Sequence, residues 1–252
     1  MGQALLRAAP AFRDLIITGA VASPASVALG RDAGELAGLD AANLTISADL
    51  PAALQQADVA IDFSSGHATR ASVEACRAAR KPLLIGTTGF GAELDALLDA
   101  AARDIPLLVA ANTSVAVAVL TELTRRAAQA LPREFDIDIL DLHHRQKPDA
   151  PSGTALALGA AAAQARDAVL KPRGTSVPRG QGEIGIASVR AGDIVGEHTV
   201  LFCGAGEELL LTHRAFDRGI FARGALAAAQ WLASRPPGRY GMREFLGFKT
   251  GT

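Results

Sequence analysis

Aromatic residues make up only 4% of this 252-residue chain, with one Trp and one Tyr. Stacking platforms for single-stranded nucleic acid are therefore scarce. Charge of neither sign dominates: 25 Lys and Arg against 26 Asp and Glu leave a formal net charge of −1. That balance gives no bulk attraction to nucleic acid or anionic lipid. The only cysteines, Cys76 and Cys203, lie far apart in unlike contexts and argue for a reducing compartment. No apolar run is long enough to span a bilayer, and the start lacks a charged-then-apolar signal pattern. Met1-Gly2 suits a myristoylation site, but Leu6 stands where that motif needs Ser or Thr. The expectation is a cytoplasmic chain with no membrane and no nucleic-acid partner. What is present, 49% hydrophobic and 20% charged residues, is a globular composition able to fill one large core or two modest ones.

Apolar periodicity predicts alternating strands and helices through the first half. A short helix over Met1 to Ala9 ends at Pro10, and Leu15 to Val21 reads as a strand. Leu50 to Ala57 gives a helical turn or two, followed by a strand over Val59 to Phe63 that stops at Ser64-Ser65-Gly66. A helix over Ala68 to Arg80 leads to a strand over Pro82 to Ile85, ending in Gly86-Thr87-Thr88-Gly89. A helix over Ala92 to Arg103 and a strand over Pro106 to Ala111 follow. Asn112-Thr113-Ser114 then opens a long helix to about Leu131. Nearly continuous apolar strands between helices imply a parallel sheet covered on both faces. The polar groups fall at the carboxyl ends of those strands, the edge where open α/β sheets bind ligands. Any one such loop can be an ordinary turn; three on one edge point to a cofactor crevice.

After Phe135 the pattern changes. A strand over Phe135 to Leu142 and a helix over Gly153 to Arg166 precede a basic, Pro/Gly-rich stretch, Lys171 to Gly182. Three segments, Ile184 to Arg190, Glu197 to Phe202 and Glu208 to Thr212, are spaced by short turns that suggest antiparallel strands. A helix over Gly219 to Leu232 and a short tail led by Pro236-Pro237-Gly238 complete the chain. The fold class is α/β: a Rossmann-type parallel sheet plus a central α+β domain with a mixed sheet. The expected boundaries are 1–114 with 218–252 for the dinucleotide-binding domain, and 115–217 for the substrate and oligomerisation domain.

Between the strand ending at Leu142 and the helix opening at Gly153 lies a concentrated polar stretch, Asp141-Leu142-His143-His144-Arg145-Gln146-Lys147-Pro148-Asp149-Ala150-Pro151-Ser152-Gly153-Thr154. The first N–H groups of a helix, with the Ser152 and Thr154 hydroxyls, suit carboxylate or phosphate oxygens. His143, His144, Arg145 and Lys147 crowd positive charge onto the approach, and each cation disfavours protonation of the next. A lysine or histidine tuned that way can donate a proton at working pH. Adjacent strand residues point to opposite faces, so His143 and His144 are poor chelators of one ion, and no metal is expected. Each residue alone fits a solvated turn or a helix cap.

The string as a whole resembles the signature of the 4-hydroxy-tetrahydrodipicolinate reductase (dihydrodipicolinate reductase) family, His-His-x-x-Lys-x-Asp-Ala-Pro-Ser-Gly-Thr-Ala. Further segments are similar and in the family's order: Asp32-Ala33-Gly34-Glu35-Leu36, Gly86-Thr87-Thr88-Gly89-Phe90, Asn112-x-Ser114-Val115 and Val189 to His198. The resemblance implies NAD(P)H-dependent reduction in diaminopimelate and lysine biosynthesis, a small cyclic imine with two carboxylates as substrate, NADH or NADPH as cofactor, and a homotetramer. It implies His143 and Lys147 as the proton-transfer pair, and His144, Gly153 and Thr154 as holders of the substrate carboxylates. Gly86, Thr87, Thr88, Ala110, Ala111, Asn112 and Thr113 are implied around the cofactor, with the Arg218 to Phe221 turn beside it.

Two departures from the family pattern stand out. The acidic residue that bonds the adenine ribose is absent; Ser23-Pro24 occupies its neighbourhood, with no arginine for a 2′-phosphate. The family's first strand and its Gly-x-x-Gly-Arg-Met-Gly loop are also missing, Met1-Gly2 resembling the loop's tail. The expectation is a natural start upstream of Met1, with Leu15 to Val21 and Val59 to Phe63 flanking a gap in the sheet. Two alternatives are another nicotinamide-dependent reductase and a relative without cofactor binding, acting as a substrate-binding or assembly subunit. The intact string from His143 to Thr154 argues against both.

Overall fold

The structure is a computed structural model that describes residues 1–88, 91–172, 178–180 and 182–248. Gly89 and Phe90 of the Gly-Thr-Thr-Gly-Phe segment, and part of the basic stretch between Lys171 and Gly182, lie outside the described residues. The elements in chain order begin with α1 (Gly2–Ala8), a 3-10 turn (Ala9–Ala11), α2 (Ala33–Leu36), α3 (Leu50–Gln55), β1 (Ala60–Asp62) and α4 (Gly66–Ala79). Next come β2 (Leu83–Ile85), α5 (Ala92–Ala101), β3 (Pro106–Val109), α6 (Val115–Ala130), β4 (Asp136–His143) and α7 (Gly153–Arg166). The chain continues through β5 (Val169–Pro172), β6 (Glu183–Arg190), β7 (Gly196–Cys203), β8 (Glu208–Ala215), α8 (Gly219–Leu232), β9 (Gly238–Tyr240) and α9 (Met242–Phe245). No helix among the described residues is long and apolar enough to cross a membrane. The chain divides into two compact units, Met1–Val115 with Gly219–Thr252, and Ala116–Arg218.

The first unit is built on a parallel sheet of order β1-β2-β3-β9. Its central strands are apolar throughout because both faces are covered: Leu83, Leu84, Ile85, Leu107 and Leu108 are fully buried. Leu54, Val73, Cys76 and Leu98 pack with Leu83, Ile85 and Leu107 in one cluster. Helix α8, small-residue-rich and buried at Ala222, Ala225 and Leu226, packs against β1, β2 and β3.

Two expectations for this unit need correction. Leu15 to Val21 is not a strand: its only ladder contact among the described residues is a single bridge between Val21 and Ser47. Apolar character alone does not make a strand; a hydrogen-bonded neighbour along the segment does, and among the described residues β1 pairs only with β2. The tail after Pro236-Pro237 instead folds back as β9 against β3, and α9 follows it. Tyr240 and Phe245 meet Trp231 edge-on at 5.4 and 5.9 Å between ring centroids, which anchors that return.

The second unit is a five-stranded mixed sheet of order β5-β6-β4-β7-β8 with α7 on one face. The three late strands are not an antiparallel run, because β4 inserts between β6 and β7. Strand β6 runs parallel to β4 and β5, whereas β4–β7 and β7–β8 are antiparallel. The connection from Ala191 to Val195 must therefore cross the end of β4, and it is tied there by Ala191 N–H to His143 O and Arg145 N–H to Gly192 O. Gly192, at φ +50°, supplies the left-handed turn.

Directly paired residues share a face of the sheet. On the helix side, the rows Ile184–Ile137–Phe202 and Ile186–Ile139–Val200 form the core beneath Ala155, Leu158 and Ala162. The next row is polar: Ser188, Asp141, His198 and His213 stand side by side. Helix α7 begins over this row, so the apolar core stops where the polar site starts.

Candidate active site

Ser152 caps α7, its hydroxyl accepting from Ala155 N–H at 3.2 Å. The same hydroxyl lies 3.0 Å from His198 Nε2, and Ser152 N–H donates to Asp141 Oδ2 at 2.9 Å. The helix start is thus fixed from below by the polar row of the sheet. Gly153 is exposed, and an added Cβ there would meet nothing within 4 Å. The helix end therefore faces open space at Gly153, with half-buried Thr154 beside it. That is the setting in which first-turn N–H groups receive an anion.

His143 and His144 separate as neighbours on a strand should. His143 turns inward: its side chain is 12% exposed, its Nδ1 lies 2.9 Å from Asp141 Oδ1, and its ring meets His198 edge-on at 5.1 Å. His144 turns the other way, its Nε2 3.1 Å from an Arg218 amino group. It lines a cavity of about 240 Å³ with Gln146, Asp193, Val195 and Arg218. Lys147 pairs with Asp149 at 2.8 Å, in a turn closed by Lys147 N–H to His144 O. Arg190 locks this loop to the sheet, donating to Asp141 Oδ2 at 2.9 Å and to Asp149 O at 2.6 Å.

Burial alone would raise the Asp141 carboxyl, but the nearby His198 imidazole and hydrogen bonds from Ser152 and Arg190 outweigh it and hold it well below the usual carboxylate range. His143 is pushed down to about 4, chiefly by burial, with His198, Lys147 and Arg190 adding to the effect against the pull of Asp141. The imidazole is therefore neutral at neutral pH. Asp141, His143 and His198 each offer a ligand atom within 4.8 Å of the others, a metal-like grouping. The Arg190 guanidinium 2.9 Å from the carboxylate opposes a divalent ion there.

In the first unit, the carboxyl ends of β1, β2 and β3 carry the other sequence-predicted residues. Gly86 N–H donates to Asp62 O, and an added Cβ on Gly86 would overlap the Phe63 ring. Thr87 is buried, and its hydroxyl has no hydrogen-bond partner among the described residues; Thr88 is exposed beside it. Ala110 is held to Ile85 O, Ala111 is exposed, and Asn112 Oδ1 accepts from Ser114 N–H at 2.9 Å. Thr113 donates to Phe221 O at 2.6 Å, which joins this edge to α8. A buried hydroxyl next to Gly86 with no partner among the described residues fits a nicotinamide dinucleotide, whose amide and hydroxyl groups would satisfy it.

Sequence reasoning assigned no role to Asp141, Ser188, Arg190 or His198. The available signal was Asp141 itself, a charge on the same strand face as Ile137 and Ile139. A carboxylate among core positions requires partners.

The family model described as dihydrodipicolinate reductase, N-terminus matches residues 1–113, and that described as dihydrodipicolinate reductase, C-terminus matches residues 116–246. A 4-hydroxy-tetrahydrodipicolinate reductase from Alkalilimnicola ehrlichii is 49% identical over 98% of this chain and 95% of its own length. One from Anaeromyxobacter dehalogenans strain 2CP-1 is 45% identical over 100% and 95%. Among solved structures, a dipicolinate-bound dihydrodipicolinate reductase from Paenisporosarcina sp. TG-14 is similar, with a TM-score of 0.76 at 22% identity over 96% of this chain and 94% of that one. An amine dehydrogenase from Mycobacterium smegmatis shares the fold at a TM-score of 0.60 and 14% identity, covering 94% and 90%.

Proposed function

The chain belongs to the dihydrodipicolinate reductase family, and from that premise we propose how its residues divide the work of the reaction. It is an NAD(P)H-dependent reductase that converts 4-hydroxy-tetrahydrodipicolinate to tetrahydrodipicolinate, in diaminopimelate and lysine biosynthesis. The observation that carries this reading is the stretch from Asp141 to Thr154, folded as a strand end, a basic turn and a capped helix start.

The cyclic dicarboxylate substrate is received by His144, Gly153 and Thr154, where the helix end and positive charge favour carboxylate oxygens. The substrate loses water, its ring takes up a hydride, and the electron-rich enamine then takes up a proton. Lys147 supplies that proton. His143, neutral at working pH, assists the transfer from beside it, and the local positive field favours the developing negative charge. Gly86, Thr87, Thr88, Ala110, Ala111, Asn112 and Thr113 would hold the nicotinamide dinucleotide, whose chemistry is hydride donation.

Residues 1–114 with 218–252 serve as the dinucleotide-binding domain, and residues 115–217 as the substrate and oligomerisation domain. A homotetramer is supported by the sheet face away from α7, where Leu140, Val189 and Leu210 remain exposed. A cytoplasmic setting is supported by the free thiols Cys76 and Cys203. Ser23-Pro24 offers neither an acid for a ribose hydroxyl nor a cation for a 2′-phosphate. NADH and NADPH are therefore used within about 1.4 kcal/mol, or tenfold, of each other.

The test is oxidation of each nicotinamide by the purified protein with 4-hydroxy-tetrahydrodipicolinate. Turnover that requires this substrate is expected. No turnover with either cofactor defeats the reading, and a hundredfold preference for one defeats the dual-cofactor statement alone.

A further inference from the structure

The Asp141 side chain is fully buried, yet its two oxygens serve different parts of the site. Oδ2 is saturated, accepting from Ser152 N–H at 2.9 Å, Ser188 Oγ–H at 3.0 Å and Arg190 Nη2–H at 2.9 Å. Oδ1 has two imidazoles near it: His143 Nδ1 at 2.9 Å and His198 Nε2 at 3.4 Å. His198 Nε2 is closer to Ser152 Oγ, at 3.0 Å, so its hydrogen bond goes to the serine. That leaves His143 as the near partner of Oδ1.

Among the described residues, neither Oδ1 nor His143 Nδ1 has a straight hydrogen bond to any other group, and both atoms are buried. At 2.9 Å the two are within bonding distance but poorly aligned, a common state for catalytic hydrogen bonds before substrate tightens them. The other edge of the ring is confined as well. Nε2 lies against Gly196, where an added Cβ would sit 3.1 Å away, so the bare glycine backbone leaves the ring its place.

We propose that Asp141 is a positioning residue: it fixes His143 as the Nδ1–H tautomer, while its other oxygen anchors the start of α7. This rests on the role of His143 in proton transfer proposed above. A carboxylate on Nδ1 leaves the Nε2 lone pair as the nitrogen able to take and pass on a proton, and it stabilises the imidazolium if one forms. One buried group thereby ties the proton-transfer side of the site to its carboxylate-binding side. The charged and titratable groups around the imidazole are Asp141 on β4, His198 on β7, Arg190 on β6 and Lys147 in the loop.

Imidazole nitrogen shifts of ¹⁵N-histidine-labelled protein at neutral pH test the proposal, with the His143 signals assigned by their loss in His143→Asn. The wild-type spectrum is expected to show a proton on Nδ1 and none on Nε2. In Asp141→Asn that preference should be lost and kcat should fall at least about tenfold. KM should stay within about threefold, because the amide oxygen still accepts from Ser152 N–H. Ser188→Ala, which removes a donor from Oδ2 only, should leave the tautomer unchanged. A wild-type Nε2–H tautomer overturns the proposal without any variant, so misfolding of Asp141→Asn does not shield it. An unchanged tautomer and kcat in folded Asp141→Asn overturns it too. Absence of reductase activity in the wild type counts against the proposed function, whereas the spectrum still decides the role of Asp141.

Discussion

Asp141 stands directly opposite His198 across the antiparallel pair β4–β7, and both side chains contact Ser152, the cap of α7. The register of two strands thus determines where a helix begins. His198→Ala removes the imidazole from a buried site and leaves the Ser152 hydroxyl short of a partner. The expected cost is about 1–3 kcal/mol, read as a lower urea midpoint. KM for the dicarboxylate should also rise, because the cap no longer fixes the helix end. A variant as stable as wild type with unchanged KM would show that the cap needs no support from β7.

The histidines of the polar row set a pH dependence. Burial first, then neighbouring positive charge, lowers His143 from 6.5 to about 4, and burial and His198 lower His213. Between about 4 and 6.5 the folded state binds fewer protons at His143 than the unfolded chain, so stability rises with pH across that window. The contribution is fully present above the unfolded value and is lost as pH falls toward 4, up to about 3 kcal/mol for His143. The Asp141 contribution, from a lowered carboxyl, is lost only in more acidic solution. Urea midpoints between pH 6.5 and 5 should fall for the wild type and fall less for His143→Gln. Parallel slopes would remove His143 as the source.

Lys147 and Thr154 are assigned to different steps and should fail differently. Lys147→Ala removes the proposed proton donor, and kcat should drop by roughly two to four orders of magnitude, with cofactor binding little changed. Thr154→Ala removes a proposed binding contact and should raise KM with kcat nearly intact. Steady-state kinetics on both variants decide this. An unimpaired kcat for Lys147→Ala, or a pure kcat loss for Thr154→Ala, reverses the assignment.

The α/β class and the site stretch were legible because both are written in local sequence. Apolar runs between helices imply a covered parallel sheet, and Ser152-Gly153-Thr154 before an Ala/Leu-rich run marks the start of α7. Pairing order was not legible. Nothing between Arg190 and Gly196 says that the connection crosses β4, so β6 and β7 looked like neighbours. The same blindness hid Arg190 and His198, brought to Asp141 only by register. Leu15 to Val21 misled for the opposite reason: its composition suits a strand, but hydrogen-bonded partners come from tertiary structure. Strand β9 was missed because three residues after two prolines carry no period.

In the first unit, Gly224 of α8 lies against the backbone at Thr113. Glycine inside an exposed helix is normally a liability: replacement by alanine gains about 0.8–1.0 kcal/mol in helix propensity. Here the helix is pressed so closely on the chain that an added Cβ would overlap the Thr113 carbonyl oxygen, a backbone atom that cannot rotate away. Thr113 is further held by its hydroxyl bond to Phe221 O, one helical turn from Gly224. Relief requires α8 to shift away from the end of β3, and overpacking of this kind costs about 1–3 kcal/mol or more. The steric cost exceeds the propensity gain, so Gly224→Ala should lower the urea midpoint of the protein. It should also raise KM for NADH and NADPH more than KM for the dicarboxylate, because Thr113 lies on the proposed cofactor edge. A variant more stable than wild type would mean that propensity wins and that α8 has room for a methyl group at Thr113. A destabilised variant with unchanged cofactor KM would detach Thr113 from the cofactor site and leave the packing argument standing.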